Sequence, residues 1–357
     1  ILGHDEVAEA FRRTLERQRL ASSYLFTGPD GVGKRTFALK LAQTLLCHRA
    51  SPSEMAPCGE CASCQQVMAL THPDVEVIGC PEDKSEFPVR LLIGEKERRN
   101  REGFCYNLSR KPQRDGRKIG ILDDADMLNE EGANCLLKIL EEPPPRSLLI
   151  LLSNNVSRQL PTIRSRCQIL RFRPLVTEDL ETLIRQTGVA DERAKQLAGL
   201  GRSGLTETAA WAEESFWDFR GALLKLLAET PPPVERLIDC VQSFVDHDKP
   251  SPNERRRRMH LAFREAQRFY RDLLHAVISS PERVPLADRE NDKMLSAALA
   301  RATDALLASG RETATDSLTQ IIARCLAAQQ QVSRNANPGS VIGCWADDLD
   351  ACLLQRA

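Results

Sequence analysis

Four groups of residues in this chain have types and spacing that could do chemistry. The first is Gly28-Pro29-Asp30-Gly31-Val32-Gly33-Lys34-Arg35-Thr36. It follows a short apolar run, Tyr24-Leu25-Phe26, and opens a segment whose Phe37, Ala38, Leu41, Ala42 and Leu45 share one helical face. Strand, glycine loop and helix is the setting in which Gly-x-x-x-x-Gly-Lys wraps a polyphosphate, with backbone N–H groups and the helix N-terminus facing the anion. Gly28, Gly31 and Gly33 allow the close approach, and Lys34 would reach the terminal phosphates. The next position, where such a loop needs Ser or Thr to hold magnesium, is Arg35. Thr36 does not replace it, because one helical step turns a side chain by about 100°. It stays with the loop among the nucleotide-contacting candidates.

The second group is Asp123-Asp124, at the end of the apolar run Lys118-Ile119-Gly120-Ile121-Leu122. A strand that delivers a carboxylate to the edge of a sheet places it near a nucleotide-bound magnesium. Asp124 stands where a hydrolase of this kind orients the attacking water with Glu. Asp is one methylene shorter, and misplacement on that scale can approach about 10²-fold in rate. The plainer alternative is that the acidic strand end caps the next segment.

The third group is Cys47, Cys58, Cys61 and Cys64, spaced Cys-x10-Cys-x2-Cys-x2-Cys. Four thiolates suit tetrahedral zinc, and a closed four-ligand set is structural, with no open position for catalysis. His72 could compete as a ligand, but the cysteines already complete the shell. Scattered, unliganded cysteines are the alternative. The fourth candidate, Arg166 in Ser165-Arg166-Cys167, is by itself a weak signal.

The elements that must position these groups alternate. A surface helix is expected over residues 5–20, then the loop's own strand and a helix running to about Cys47. Strands are expected over 74–78, 118–122, 148–152 and 168–172, with a helix capped by Asn129, carrying Ala133, Leu136, Leu137 and Leu140, and stopped by Pro143-Pro144-Pro145. This alternation predicts a parallel sheet with helices on both faces. Beyond Pro174 the strand pattern stops. A few short helices are expected to Gly201-Arg202-Ser203-Gly204, and an all-helical region follows, broken at 231–233, 249–252, 281–285 and 335–339.

The chain has 357 residues and a net charge of −1, so no global field points to DNA or a membrane. Local patches remain: ten basic against four acidic residues between Arg90 and Lys118, and the run Arg255–Arg258. Such runs are also the ordinary wet face of a helix. No apolar run approaches the roughly 20 residues that span a bilayer. Twelve cysteines beside a nucleotide loop fit the reducing cytosol, where clustered cysteines hold metal, so a cytoplasmic location is expected. The sequence begins at Ile1 and not at Met, which leaves room for residues upstream.

In order, the set resembles the clamp-loader branch of the AAA+ ATPases. The residues that carry the resemblance are the phosphate loop, the four-cysteine module and Thr71-His72-Pro73-Asp74. They continue with Ile121-Leu122-Asp123-Asp124-Ala125-Asp126, Asn134-Cys135-Leu136-Leu137-Lys138-Ile139-Leu140-Glu141-Glu142-Pro143-Pro144, and Ser165-Arg166-Cys167. The match is strong over 1–174, fair over 175–212 and thinner beyond, at Phe263-Arg264-Glu265, Arg271-Asp272-Leu273-Leu274 and Asn335-Ala336-Asn337-Pro338.

The resemblance implies an α/β P-loop (AAA+) domain over 1–174 with a zinc module at 47–64, a small helical lid over 175–212 and an all-α collar over 213–357. It implies that Asn154 is a sensor beside the loop. It makes Arg166 an arginine finger inserted into a neighbouring subunit's ATP site, and the lid's second sensor, around Ser203-Gly204-Leu205-Thr206, absent. The expected cofactors are structural Zn2+ and a nucleotide, ATP with Mg2+, bound but hardly hydrolysed. The expected partners are the gamma/tau and delta subunits of a heteropentameric ring, and through it a sliding clamp and primer–template DNA. Membership of a DNA polymerase complex is implied, without polymerase activity of the chain's own. The rival readings are an ATP-hydrolysing gamma/tau-type motor and a free-standing DNA-binding protein using Arg90–Lys118.

Overall fold

The computed structural model describes the chain except residues 1, 82–83, 85, 114–115, 201–213, 279–292, 309, 334–335 and 355–357. It divides into two compact units, Ile1–Thr208 and Ala209–Ala357.

The first unit is built on five strands: β1 (Ser23–Thr27), β2 (Val75–Ile78), β3 (Lys118–Leu122), β4 (Ser147–Ser153) and β5 (Gln168–Arg171). Their spatial order is β2-β3-β4-β1-β5 and every pairing is parallel. Parallel strands need both faces covered, which is why β4 reads as one unbroken apolar run and is buried throughout.

The register assigns the two faces. Leu25, Leu122, Leu149 and Leu151 point to one side, against Leu92 and Ile93 of α4 (Val89–Ile93) and Phe104 and Leu108 of α5 (Phe104–Ser109). Leu136, Ile139 and Leu140 of α6 (Glu130–Glu141) and Ile163 of α7 (Pro161–Arg164) complete that layer. On this face Gly120 makes room: a Cβ there would lie 2.7 Å from Cζ of Phe104. On the other face, Tyr24 and Phe26 stack with Phe11 of α1 (Asp5–Glu16) and Phe37 of α2 (Lys34–Leu46), ring centroids 5.1 Å (Phe11–Tyr24) and 6.0 Å (Phe26–Phe37) apart. The small helix α3 (Ala62–Met68) packs on α2.

Asn129 caps α6 as expected, its Oδ1 accepting from the Gly132 N–H at 2.8 Å. The expected α6 face shifts by a step: Ile139 is buried and Leu137 only half-buried. α1 stops at Glu16, four residues early, with Gln18 at φ 52°. The charged stretch 82–118 holds two core helices, α4 and α5, that its polarity concealed. After β5 come α8 (Thr177–Gln186) and α9 (Asp191–Leu200), packed on each other. The Gly201–Gly204 break and the second-sensor segment lie outside the described residues.

The second unit is helical: α10 (Glu214–Leu227), α11 (Val234–Val245), α12 (Pro252–Ile278), α13 (Lys293–Leu307), α14 (Arg311–Ser333) and α15 (Pro338–Leu354). Pro252 and Pro338 open helices rather than merely interrupting them, because a first-turn position needs no N–H. The expected breaks at Pro281–Pro285 and Asn335 lie outside the described residues. Phe219 and Phe244 stack at 4.0 Å, and Arg220 and Glu265 form a buried ion pair at 2.8 Å between α10 and α12. No helix is long and apolar enough to cross a membrane, among the described residues.

Candidate functional site

The sheet order puts the chain's reversal at β1 and β4, and ligands of open parallel sheets bind outside the carboxyl ends of strands at such a point. The glycine loop, Asp123-Asp124 and Asn154 meet there. The loop after β1 runs under Phe172, so close that a Cβ on Gly28 would stand 2.4 Å from the Phe172 carbonyl oxygen. Gly31 and Gly33 both take positive φ, 70° and 100°, and Gly33 is the N-cap of α2. Lys34, buried, donates to Gly28 O (2.8 Å), Pro29 O (2.7 Å) and Asn154 Oδ1 (2.8 Å). The resemblance's sensor thus touches the loop lysine directly. Thr36 is exposed on the first turn of α2.

Two supports of this site were not singled out from sequence. His4 is buried beneath the loop, its Nε2 2.6 Å from Val32 O, which makes that nitrogen the donor. Asp126 accepts from Ser153 Oγ at 2.7 Å, from Gln159 Nε2 at 3.3 Å and from the Asn154 backbone N–H, and so fixes Asn154. Neither role has a local pattern. His4 lies 28 residues from Val32 in sequence, and Asp126 shows only as one more carboxylate after a strand.

The magnesium position is the point of disagreement with a working ATPase. Arg35 Nη1 stands 3.5 Å from Asp123 Oδ2. The two positions that would share a divalent cation are therefore an ion pair with each other, and they do not fit that cation. Half-exposed as it is, the pair stabilises the fold by at most about 1 kcal/mol. Burial pushes the Asp123 carboxyl up, against the pull of Arg35 and Lys34. Asp124 keeps an exposed surface, but desolvation of its carboxyl by the surrounding protein, then the neighbouring charges of Asp123 and Asp30, push it up to about 6. Burial pushes the Lys34 ammonium down, against Asp30, Asp126, Asp123 and Asp124.

The cysteines converge as predicted. Among the described residues, Cys47, Cys58, Cys61 and Cys64 are the group placed to share a metal, all sulfurs within 4.8 Å of one another. Cys47 and Cys58 Sγ are 3.6 Å apart, and Cys58 and Cys64 Sγ are 4.0 Å apart. A tetrahedron with zinc–sulfur bonds of about 2.3 Å has edges of about 3.8 Å, so the donor set fits. Backbone N–H groups of Arg49, Cys61 and Cys64 point at Cys47, Cys58 and Cys61 Sγ at 3.4, 3.4 and 3.5 Å. Burial opposes ionisation of Cys47, but N–H groups from Cys58, Arg49 and Ala50 outweigh it and bring the thiol to about 6. Cys64, the most enclosed, is pushed up to about 12, by burial first.

His72 is occupied elsewhere. Its Nε2 is 3.2 Å from Ser63 Oγ, and its Nδ1 accepts from the Asp74 N–H at 3.1 Å. The module is tied to the P-loop helix by Gln43 Nε2, which donates to Cys64 O at 3.0 Å.

Arg166 is not brought to these groups. β5 runs parallel to β1, with Gln168 beside Tyr24 and Arg171 beside Thr27. Arg166 therefore lies at the amino edge of the sheet and the phosphate loop at the carboxyl edge, about 13 Å away along four residues of strand. Its guanidinium bonds Thr162 O (3.0 Å), Ser165 Oγ (3.2 Å) and Glu141 Oε1 (2.8 Å). Within Arg90–Lys118, Arg90, Arg98, Arg99 and Lys118 pair with Glu95, Glu102, Glu131 and Asp74, and in the second run Arg255, Arg257 and Arg258 pair with Asp246 and Glu254.

Sheet order, glycine loop and acidic strand end define the class: an α/β P-loop domain of AAA+ type, followed by helices. Residues 3–176 match the family described as DNA polymerase III, delta subunit. The subunit delta' of Pseudomonas aeruginosa is 41% identical over 186 residues, covering 52% of this chain and 52% of that one. The delta' of Bacillus subtilis is 28% identical over 62% of this chain and 63% of that one. The tau subunit of Escherichia coli is 30% identical over 57% of this chain and 30% of that one. A gamma subunit-related structure from Thermotoga maritima covers 96% of this chain and 98% of that one at 15% identity, with a TM-score of 0.35, too low to bear on the fold. Over residues 3–176, then, the chain is similar to the delta and delta' subunits of DNA polymerase III. The match spans only about half to two-thirds of those delta' chains.

Proposed function

We propose that the whole chain acts as a stator subunit of a clamp loader. Arg166 serves as an arginine finger in the ATP site of a neighbouring gamma/tau-type subunit, and the helical unit holds the chain in a ring with those subunits and delta. The ring would place a sliding clamp on primer–template DNA. The observation that carries this reading is the separation of Arg166 from Lys34 by the length of the sheet. A guanidinium at the amino edge has no reach to its own loop, so its phosphate partner belongs to another chain. The loop itself, with Lys34 and Asn154 kept, is a nucleotide cradle without a hydrolytic centre, and the four cysteines hold one structural zinc.

The motor reading is disfavoured by Arg35 against Asp123 and by the short Asp124. The free-standing DNA-binding reading draws no support from a net charge of −1. The test is reconstitution of the loader with Arg166→Ala. DNA-stimulated ATP turnover at the site it completes should fall by about 10³-fold or more, and unchanged turnover and loading would remove the finger. A turnover by the isolated chain that depends on Lys34 would restore the motor reading.

A further inference from the structure

Arg35 occupies the one position of the phosphate loop whose side chain, in a hydrolase, faces both the metal and the acidic strand end. Here its guanidinium already sits 3.5 Å from Asp123. A planar fork with five N–H donors can bond a carboxylate through one nitrogen and a phosphate oxygen through others. A divalent cation bridges the same two groups in a hydrolase. The remaining cradle is in place: Lys34 rests on Gly28 O, Pro29 O and Asn154 Oδ1, three neutral oxygens that a phosphate can replace.

We propose that Arg35 stands in for the divalent cation, so that this loop takes a nucleoside di- or triphosphate without metal. This rests on the reading of the loop as a retained nucleotide cradle and names the terms on which it is occupied. The guanidinium bridges Asp123 and the outer phosphate, supplying one positive charge where a metal supplies two. It also keeps a cation away, since a metal at Asp123 would have to displace a charge of its own sign. The same substitution fits a cradle that holds nucleotide without cleaving it, since one positive charge neutralises less of the charge that develops in phosphoryl transfer than a divalent cation does.

The experiment titrates the full chain with a fluorescent ADP analogue, in buffer cleared of magnesium and in millimolar magnesium, with zinc content measured in both. The expected result is a dissociation constant that agrees within about threefold between the two conditions and is lost in Lys34→Ala. Arg35→Thr restores the hydroxyl and removes the fork, and should bind at least tenfold more tightly with magnesium than without. Arg35→Lys keeps the charge without the fork, and should bind more weakly than wild type in the metal-free buffer. Binding by the wild type that needs magnesium, an Arg35→Thr chain as indifferent to it as the wild type, or no binding at millimolar analogue would each overturn the proposal. Because Arg35 is exposed, both variants should fold, and equal melting temperatures check it. The loader assay with Arg166→Ala is separate, so a failure here leaves the stator reading intact.

Discussion

Arg166 Nη2 lies 2.8 Å from Glu141 Oε1, joining the end of α6 to the segment that enters β5. Both side chains are partly exposed, 34% for Arg166 and 51% for Glu141, so the pair stabilises the fold by no more than about 1 kcal/mol. In the finger role proposed for Arg166, an ion pair this light would be given up at little cost for a phosphate. Glu141→Gln should therefore shift the urea unfolding free energy by less than about 1 kcal/mol. A loss above about 2 kcal/mol would make the pair a brace and not a resting place.

The cysteine site predicts about one zinc per chain, lost in Cys61→Ser. Cys64, pushed up to about 12, must give up its proton to become a ligand. Zinc binding should therefore release protons, and competition titrations should give weaker affinity at pH 6 than at pH 8. Affinity indifferent to pH would contradict thiolate ligation.

Asp124 and Asp123 both titrate above the ordinary carboxylate value in the folded chain, Asp124 at about 6. A raised folded pKa favours the protonated form. The contribution is complete below about pH 4 and is lost as pH rises through about 6. Asp124→Asn removes one charge from the cluster. It should raise the melting temperature at pH 8, leave it nearly unchanged at pH 4, and flatten the profile between. The rise should be modest, because Asp124 faces solvent. A fall at pH 8 would reverse the sign assigned here.

Gly120→Ala should cost about 1–3 kcal/mol, since the added methyl meets Phe104 at 2.7 Å inside a close-packed layer. Phe104→Leu in the same chain should recover part of that loss, a coupling that thermal or urea unfolding of the four combinations measures. Additive effects would place the clash elsewhere.

What the sequence made legible was local. The glycine loop between strand and helix, the Asn129 cap and the two Cys-x2-Cys steps each sit within a dozen residues. Their geometry follows from backbone rules that need no tertiary knowledge. α4 and α5 were hidden, because five- and six-residue helices complete too few turns to print a period among ten cations. The His4–Val32 and Asp126–Asn154 contacts, and the ion pair of Arg35 with Asp123, depend on how strands are ordered in the sheet, which no spacing along the chain encodes. Arg35 could be read as a missing hydroxyl. Only the register of β1, β4 and β3 turns it into a filled position.

Helix α2 begins at Lys34 and Arg35 and is followed at once by Cys47. Its thirteen residues span about 20 Å, with the two loop cations at one end and a sulfur donor at the other. One helix therefore ties the cysteine cluster to the glycine loop, so a reagent that reaches the sulfurs acts a single element away from Lys34.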